Sequence, residues 1–125
     1  MRRILVTDDS ATMRSLLVAT IEASGDYEVV EAASGFEALR LLPREKVDLI
    51  ITDINMPDIN GLELINYVRK SEQYRNTPLF IISTEGREKD VEKGLALGAN
   101  EYLVKPIDPE RLQALIREYV GADAE

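Results

Sequence analysis

The chain has 125 residues, 45% of them hydrophobic, with no cysteine, no histidine and a formal charge of −8. One domain of this size buries roughly two-thirds of its unfolded surface, so residues 1–125 read as a single domain. The acidic balance excludes non-specific binding to nucleic acid or anionic membranes, and the missing thiols and imidazoles exclude disulfides, imidazole bases and zinc or copper sites, leaving oxygen-ligated hard cations.

Arg2 and Arg3 precede only Ile4, Leu5 and Val6 before Asp8 and Asp9, too short an apolar run for a signal peptide. No run is long enough to span a bilayer, which sets the expectation of a soluble, cytoplasmic protein. The first strand is Ile4 to Val6, and Met13, Leu16, Leu17 and Ile21 then fall on one helical face that Thr20 interrupts. Gly25 and Asp26 close this unit. A second strand, Glu28 to Ala32, leads through Ser34 and Gly35 into a helix carrying Phe36, Leu39 and Leu42, which Pro43 stops. Leu49 to Thr52 form a third strand that ends at Asp53, and Asn55, Met56, Pro57, Asp58 and Asn60 turn the chain towards Gly61.

Gly61 opens a third helix with Leu62, Ile65 and Val68 inward, and a polar stretch from Ser71 to Pro78 returns to the fourth strand, Leu79 to Ile82. Ser83, Thr84 and Glu85 follow. The helix after Gly86 is mostly polar, its apolar positions include Val91 and Leu95, and it ends near Gly98. Tyr102 to Val104 are strand five, left through Lys105 and Pro106. The last helix is capped by Asp108, has Pro109 at its first position, and aligns Leu112, Leu115, Ile116, Tyr119 and Val120.

Five strand-helix units of this kind predict an α/β fold with a five-stranded parallel sheet and helices on both faces. Runs one, three and four carry no charge, whereas strand two holds Glu28 and Glu31 and strand five begins at Glu101, so two and five are the expected edges and the order is 2-1-3-4-5. This is the flavodoxin-like topology, in which ligands bind beyond the carboxyl ends of strands one and three. Asp8 and Asp9, Asp53, Ser83 and Thr84, and Lys105 all arrive there. Taken singly, each has an ordinary explanation as a helix cap, a strand terminator or a solvated lysine; together they describe a site.

Three carboxylates in one crevice repel, by about 4 kcal/mol for a pair about 4 Å apart at an effective dielectric of about 20, unless a cation or proton intervenes. Mg²⁺ meets the need with oxygen donors and retained waters, with Asp9 and Asp53 expected as direct ligands and Asp8 acting through water. Such a cation, a lysine ammonium and a hydroxyl donor neutralise a transferring phosphoryl group, and Asp53 is already an anionic nucleophile. The expected site is a phosphoryl acceptor.

Asp8 and Asp9 after strand one, the run Asp53, Ile54, Asn55, Met56, Pro57, the hydroxyl of Ser83, Tyr102 and the Lys105, Pro106 pair together resemble the receiver domain of bacterial response regulators, in its stand-alone, CheY-like form. The resemblance implies that Asp53 takes a phosphoryl group from a phosphohistidine on a sensor histidine kinase or from a small phosphodonor. Mg²⁺ is then held by Asp9, Asp53 and the backbone carbonyl of Asn55, with Asp8 beside them. Lys105 pairs with the bound phosphoryl group, Ser83 and Thr84 stand next to it, and Ser83 swings to hydrogen-bond it. Tyr102 follows inward and alters the surface of helix four, strand five and helix five for a downstream protein. The resemblance further implies a cis bond between Lys105 and Pro106, a monomer when unphosphorylated, and chemistry limited to the domain's own phosphorylation and dephosphorylation. Asn55 and Glu85 stand where the hydrolysis of the phosphoryl group is tuned.

Thr84 is larger than the residue the family often has after the hydroxyl, and Thr7 puts a hydroxyl where an apolar residue is common. The short acidic tail from Gly121 to Glu125 leads into no nucleic-acid-binding domain, so output through protein contact is expected if the chain is whole; a receiver cut from a larger regulator or hybrid kinase, or a phosphorelay intermediate, is the alternative. A flavin carrier shares the topology, but Asp8 and Asp9 repel its phosphate. A magnesium phosphatase with an aspartyl nucleophile usually has a second acid where this chain has Asn55.

Overall fold

A computed structural model describes residues 1–121 as five strands alternating with five helices. The acidic tail read from the sequence lies, past Gly121, outside the described residues. The elements are β1 (Arg2–Thr7), α1 (Ala11–Ser24), β2 (Tyr27–Ala32), α2 (Gly35–Leu41), β3 (Leu49–Asp53), α3 (Gly61–Lys70), β4 (Leu79–Ser83), α4 (Glu88–Leu97), β5 (Glu101–Val104) and α5 (Pro109–Val120). The strands pair in parallel in the order β2-β1-β3-β4-β5, as the distribution of charge along them predicts. Among the described residues, no helix is long and apolar enough to cross a membrane.

Every residue of β3 and β4 is buried, because both faces of the sheet are covered. Alternation along the strands divides the core in two. Ile4, Val6, Ile51, Phe80 and Ile82 pack with Leu17 and Ile21 of α1 and Leu112, Leu115 and Ile116 of α5. Leu5, Ile50 and Ile81 pack on the opposite side with Ala38 of α2 and Leu64, Ile65 and Val68 of α3.

Two helical faces differ from the periodic reading, and a third is set by a glycine. In α3 the stripe is Gly61, Leu64, Ile65 and Val68, with Leu62 only partly buried, because the first inward position is a glycine that hydropathy does not register. In α1 Thr20 lies on the buried face and Leu16 is exposed; the Thr20 hydroxyl donates to the Leu16 carbonyl at 2.9 Å, so its polar atom is satisfied while its methyl packs. In α4 only Gly94 is buried and Leu95 is exposed: a Cβ at position 94 would come within 2.6 Å of Ile81 Cδ1, so the helix lies on the sheet through its glycine.

The pole of the sheet opposite the strand carboxyl ends is tied by two side chains. Arg69, its pKa lowered by burial, donates to the carbonyls of Gly98 at 2.9 Å and Thr77 at 2.8 Å, and to Asn100 Oδ1 at 3.0 Å. The Tyr74 hydroxyl donates to the carbonyls of Leu42 and Glu45. With that end fixed, the carboxyl ends of the strands are free to carry chemistry.

Candidate functional site

Parallel strands deliver their last residues to one rim, and the three acids meet there. Asp8 is fully buried, Asp53 nearly so and Asp9 exposed; each offers a carboxylate oxygen within 4.8 Å of those of the other two. Asp8 Oδ1 accepts from the Ser10 N–H at 2.9 Å, and Ser10 Oγ in turn caps α1 through the Met13 N–H at 3.2 Å, so the first loop is built to hold the carboxylate in place. Asp53 Oδ1 receives the Asn55 N–H at a long 3.4 Å.

Lys105 enters from the end of β5, with its Nζ 3.3 Å from Asp8 Oδ2 and 3.6 Å from Asp53 Oδ2. The Lys105–Pro106 bond is cis, as the resemblance implies. Burial pushes the Asp53 carboxyl above its ordinary value, Lys105 pulls it down, and Asp8 pushes it up again. One ammonium therefore does not neutralise the pocket. The remaining negative charge, the purely oxygen donor set and the spacing of the carboxylates fit a hard divalent cation.

Ser83 is buried, and its Oγ accepts from the Glu85 N–H at 3.0 Å. The Tyr102 hydroxyl donates to the carbonyl of the same residue, Glu85, at 2.6 Å. A single loop residue thus connects the hydroxyl after β4 with the aromatic ring on β5. The side chains of Thr84, Glu85 and Asn55 are exposed around the rim.

Arg14 belongs to the site's framework and was not foreseen from the sequence. Its Nη1 donates to the Asp8 carbonyl at 2.7 Å and its Nε lies 3.4 Å from Glu31, bracing the loop that carries the acids against β2. A cation at the end of the first turn of a helix that begins beside two acids is the only signal for it, and a solvated arginine has the same one.

Thr7 gains a physical description. It is fully buried one residue before Asp8, and among the described residues its Oγ1 has no hydrogen-bond partner, whereas Thr52, paired across from it, donates to the Asp53 carbonyl at 3.0 Å. An unsatisfied buried hydroxyl costs about 1–3 kcal/mol, so Thr7→Val, which keeps the shape, should raise stability by about 1 kcal/mol in urea titrations. A variant less stable than the wild type would show that the hydroxyl is satisfied in solution.

The sequence profile described as response regulator receiver domain matches residues 4–117. A CheY homologue of Campylobacter jejuni, a chemotaxis protein, is 41% identical over 120 residues, covering 95% of this chain and 92% of that one. Among solved structures, the chemotaxis response regulator CheY4 of Vibrio cholerae superposes with a TM-score of 0.87 at 38% identity, covering 95% of this chain and 98% of that one. The receiver domain of the sensor histidine kinase PA1611 of Pseudomonas aeruginosa, solved with a magnesium ion coordinated in its active site cleft, gives a TM-score of 0.87 at 27% identity, covering 97% and 98% of the two chains. Since the match takes in all five strands and the whole acidic rim, this chain belongs to the response regulator receiver domain family and is homologous to the CheY regulators of chemotaxis.

Proposed function

We propose that Asp53 is the phosphoacceptor of a two-component signalling switch, with Asp8, Asp9 and the Asn55 carbonyl completing a Mg²⁺ site around it. A receiver domain of CheY type is a signalling domain and not an enzyme in the ordinary sense. The observation that carries the reading is the placement of Lys105, within 3.6 Å of Asp53 and 3.3 Å of Asp8, in a pocket whose three carboxylates it cannot neutralise alone.

In the transfer, an Asp53 carboxylate oxygen bonds to phosphorus while the bond from phosphorus to a histidine nitrogen of a sensor kinase, or to the acyl oxygen of a small donor, breaks. The histidine or the carboxylate leaves with the bonding electrons, and Asp53 becomes a mixed anhydride. Bound Mg²⁺ would screen the phosphoryl oxygens as they approach the acids. Lys105 exchanges its Asp53 contact for one to the phosphoryl group, and Thr84 and Asn55 flank that group on the exposed side. Asn55 and Glu85 govern the approach of the water that later hydrolyses it.

The new charge, about −1.5 to −2, competes for the Ser83 hydroxyl. Ser83 then releases the Glu85 N–H, and the loop that Tyr102 holds through the Glu85 carbonyl shifts with it, altering the α4-β5-α5 face for a downstream protein. The partner supplying the phosphoryl group is a sensor histidine kinase, and the protein acts in the cytoplasm, as a monomer until phosphorylated, with residues 1–125 as one receiver domain. Incubation with Mg²⁺ and acetyl phosphate should add one acid-labile phosphoryl mass per chain, with amide shifts changing around Ser83, Glu85 and Tyr102. Removal of Mg²⁺ with EDTA should prevent both changes. Wild-type protein that gains no mass under saturating donor would refute the reading.

A further inference from the structure

The connection from β3 to α3, residues 54–60, carries Asn55. Its ends are closed locally: the N–H groups of Met56 and Gly61 both donate to the Ile54 carbonyl, at 3.1 and 2.9 Å, and Asn60 and Glu63 form a capping box on α3. Its middle is held by a different part of the chain. Asp58 Oδ2 accepts from the Phe36 N–H at 2.9 Å and Asp58 Oδ1 from the Gly35 N–H at 3.2 Å.

These are the first two N–H groups of α2, which no helical carbonyl reaches. Ser34 already caps the same helix through the Glu37 N–H at 3.1 Å, so Asp58 adds a cross-link between two units and not a missing cap. The seat is shaped for it. A Cβ at Gly35 would stand 2.6 Å from the Ile59 carbonyl oxygen and 2.7 Å from Ile59 Cβ, so only glycine lets the connection come this close. The Asp58 carboxyl is held down at about 2, chiefly by the Phe36 N–H, which keeps it charged throughout the working range.

Asn55 lacks a strong anchor of its own. Its side chain is exposed and its N–H reaches Asp53 at only 3.4 Å. Met56, which is buried, secures the apolar side of the connection, and Asp58 secures the polar side. We infer that Asp58 is a positioning residue for the cation and phosphoryl site: by fastening the β3-α3 connection to the first turn of α2, it fixes where the Asn55 carbonyl stands relative to Asp53. This rests on the function proposed above, since it concerns the same site.

Asp58→Ala and Asp58→Asn remove the same charge, but Asn keeps an oxygen able to accept from Phe36. Calorimetric titration of the folded proteins with Mg²⁺ alone separates the two effects. A group bonded directly to a metal ligand typically contributes about 10–100-fold to affinity, and one acting through backbone should contribute less: Asp58→Ala is expected to weaken Mg²⁺ binding about three- to tenfold, with Asp58→Asn closer to wild type. Labelling by acetyl phosphate should fall in parallel at low Mg²⁺ and recover when Mg²⁺ saturates.

Equal defects in the two variants would mean that charge alone matters, and a lowered Tm with unchanged Mg²⁺ affinity would mean that Asp58 serves only stability; either result overturns the assignment. If the Ala variant does not fold, Asp58→Ser, whose oxygen is one bond short of the α2 N–H groups, takes its place: an unchanged Mg²⁺ affinity overturns the assignment, and a loss of about three- to tenfold beside a near-wild-type Asp58→Asn supports it. Wild-type protein that binds Mg²⁺ but takes no phosphoryl group would refute the phosphoacceptor reading while leaving the Mg²⁺ titrations to judge Asp58, and wild-type protein that binds no Mg²⁺ would end both.

Discussion

Asp53→Asn is expected to raise the Tm of the metal-free protein and to abolish its labelling by acetyl phosphate. The substitution keeps the volume and the hydrogen-bonding capacity of the side chain and removes one charge from a pocket where Asp8 and Asp9 remain. Lys105 loses a partner at 3.6 Å but keeps Asp8 at 3.3 Å. Burial is the largest influence on Asp53 and Asp8 adds to it, so the net effect of the fold is to disfavour the carboxylate. The gain should be that of an ordinary point substitution, about 1 kcal/mol at neutral pH, or roughly 5 °C.

The sign of the pH dependence follows. Between the ordinary carboxylate value of 3.8 and the raised value in the fold, native Asp53 holds a proton that the unfolded chain releases, so wild-type stability falls as pH climbs through that window. Asn has no proton to hold. Its advantage is complete above the window and shrinks as pH falls through it, because both side chains are then neutral. Mg²⁺ should reverse the order of the two proteins: wild type gains about 2.7 kcal/mol at a hundredfold excess over its Kd, and the variant, short of one ligand, gains less. Urea titrations at neutral and acid pH, with and without Mg²⁺, test every part of this. An Asn variant less stable than wild type without metal would mean that the acids do not repel.

The features that could be read from the sequence are those carried by repetition. Parallel strand-helix units bring every strand's carboxyl end to the same rim, so locating the ends of five apolar runs was enough to gather Asp8, Asp9, Asp53, Ser83 and Lys105. The edges followed from charge, because a strand covered on both faces rejects Glu28 or Glu101. What escaped was carried by single contacts between distant units. Arg14 and Asp58 act on backbone atoms, which have no signature in side-chain periodicity. Leu64 escapes a reading that turns Leu62 inward because the stripe it belongs to starts at a glycine, and the face of α4 is not legible in its apolar positions because the inward one, Gly94, has no side chain to count. The orphaned hydroxyl of Thr7 is a property of its surroundings and not of its neighbours in the chain.

Gly61→Ala is expected to be the most damaging small substitution near the site. Gly61 has no unusual backbone angle; what it supplies is space. A Cβ there would lie 2.4 Å from the Asp53 carbonyl oxygen and 2.9 Å from Ile54 Cα, both backbone atoms of the segment that ends β3. Side chains can turn away from such an overlap and backbone cannot, so α3 or the end of β3 has to move. Loss of unfolded-chain entropy favours Ala by about 0.4–1 kcal/mol where the geometry permits it. The overlap outweighs this, and net destabilisation should be about 2–4 kcal/mol, on the order of 10 °C in Tm. Gly86→Ala provides the contrast, because its Cβ would meet only the side-chain methyls of Val104, at 3.1 and 3.3 Å. That variant should lose less than about 1 kcal/mol. The displaced carbonyl belongs to the residue assigned as phosphoacceptor, so folded Gly61→Ala, assayed well below its Tm, should also take up phosphoryl groups about tenfold more slowly, since a misplacement of about 1 Å costs up to 100-fold in rate. A Gly61→Ala protein as stable and as quickly labelled as wild type would mean that the first turn of α3 does not press on Asp53, and that the acid is held in place by its strand alone.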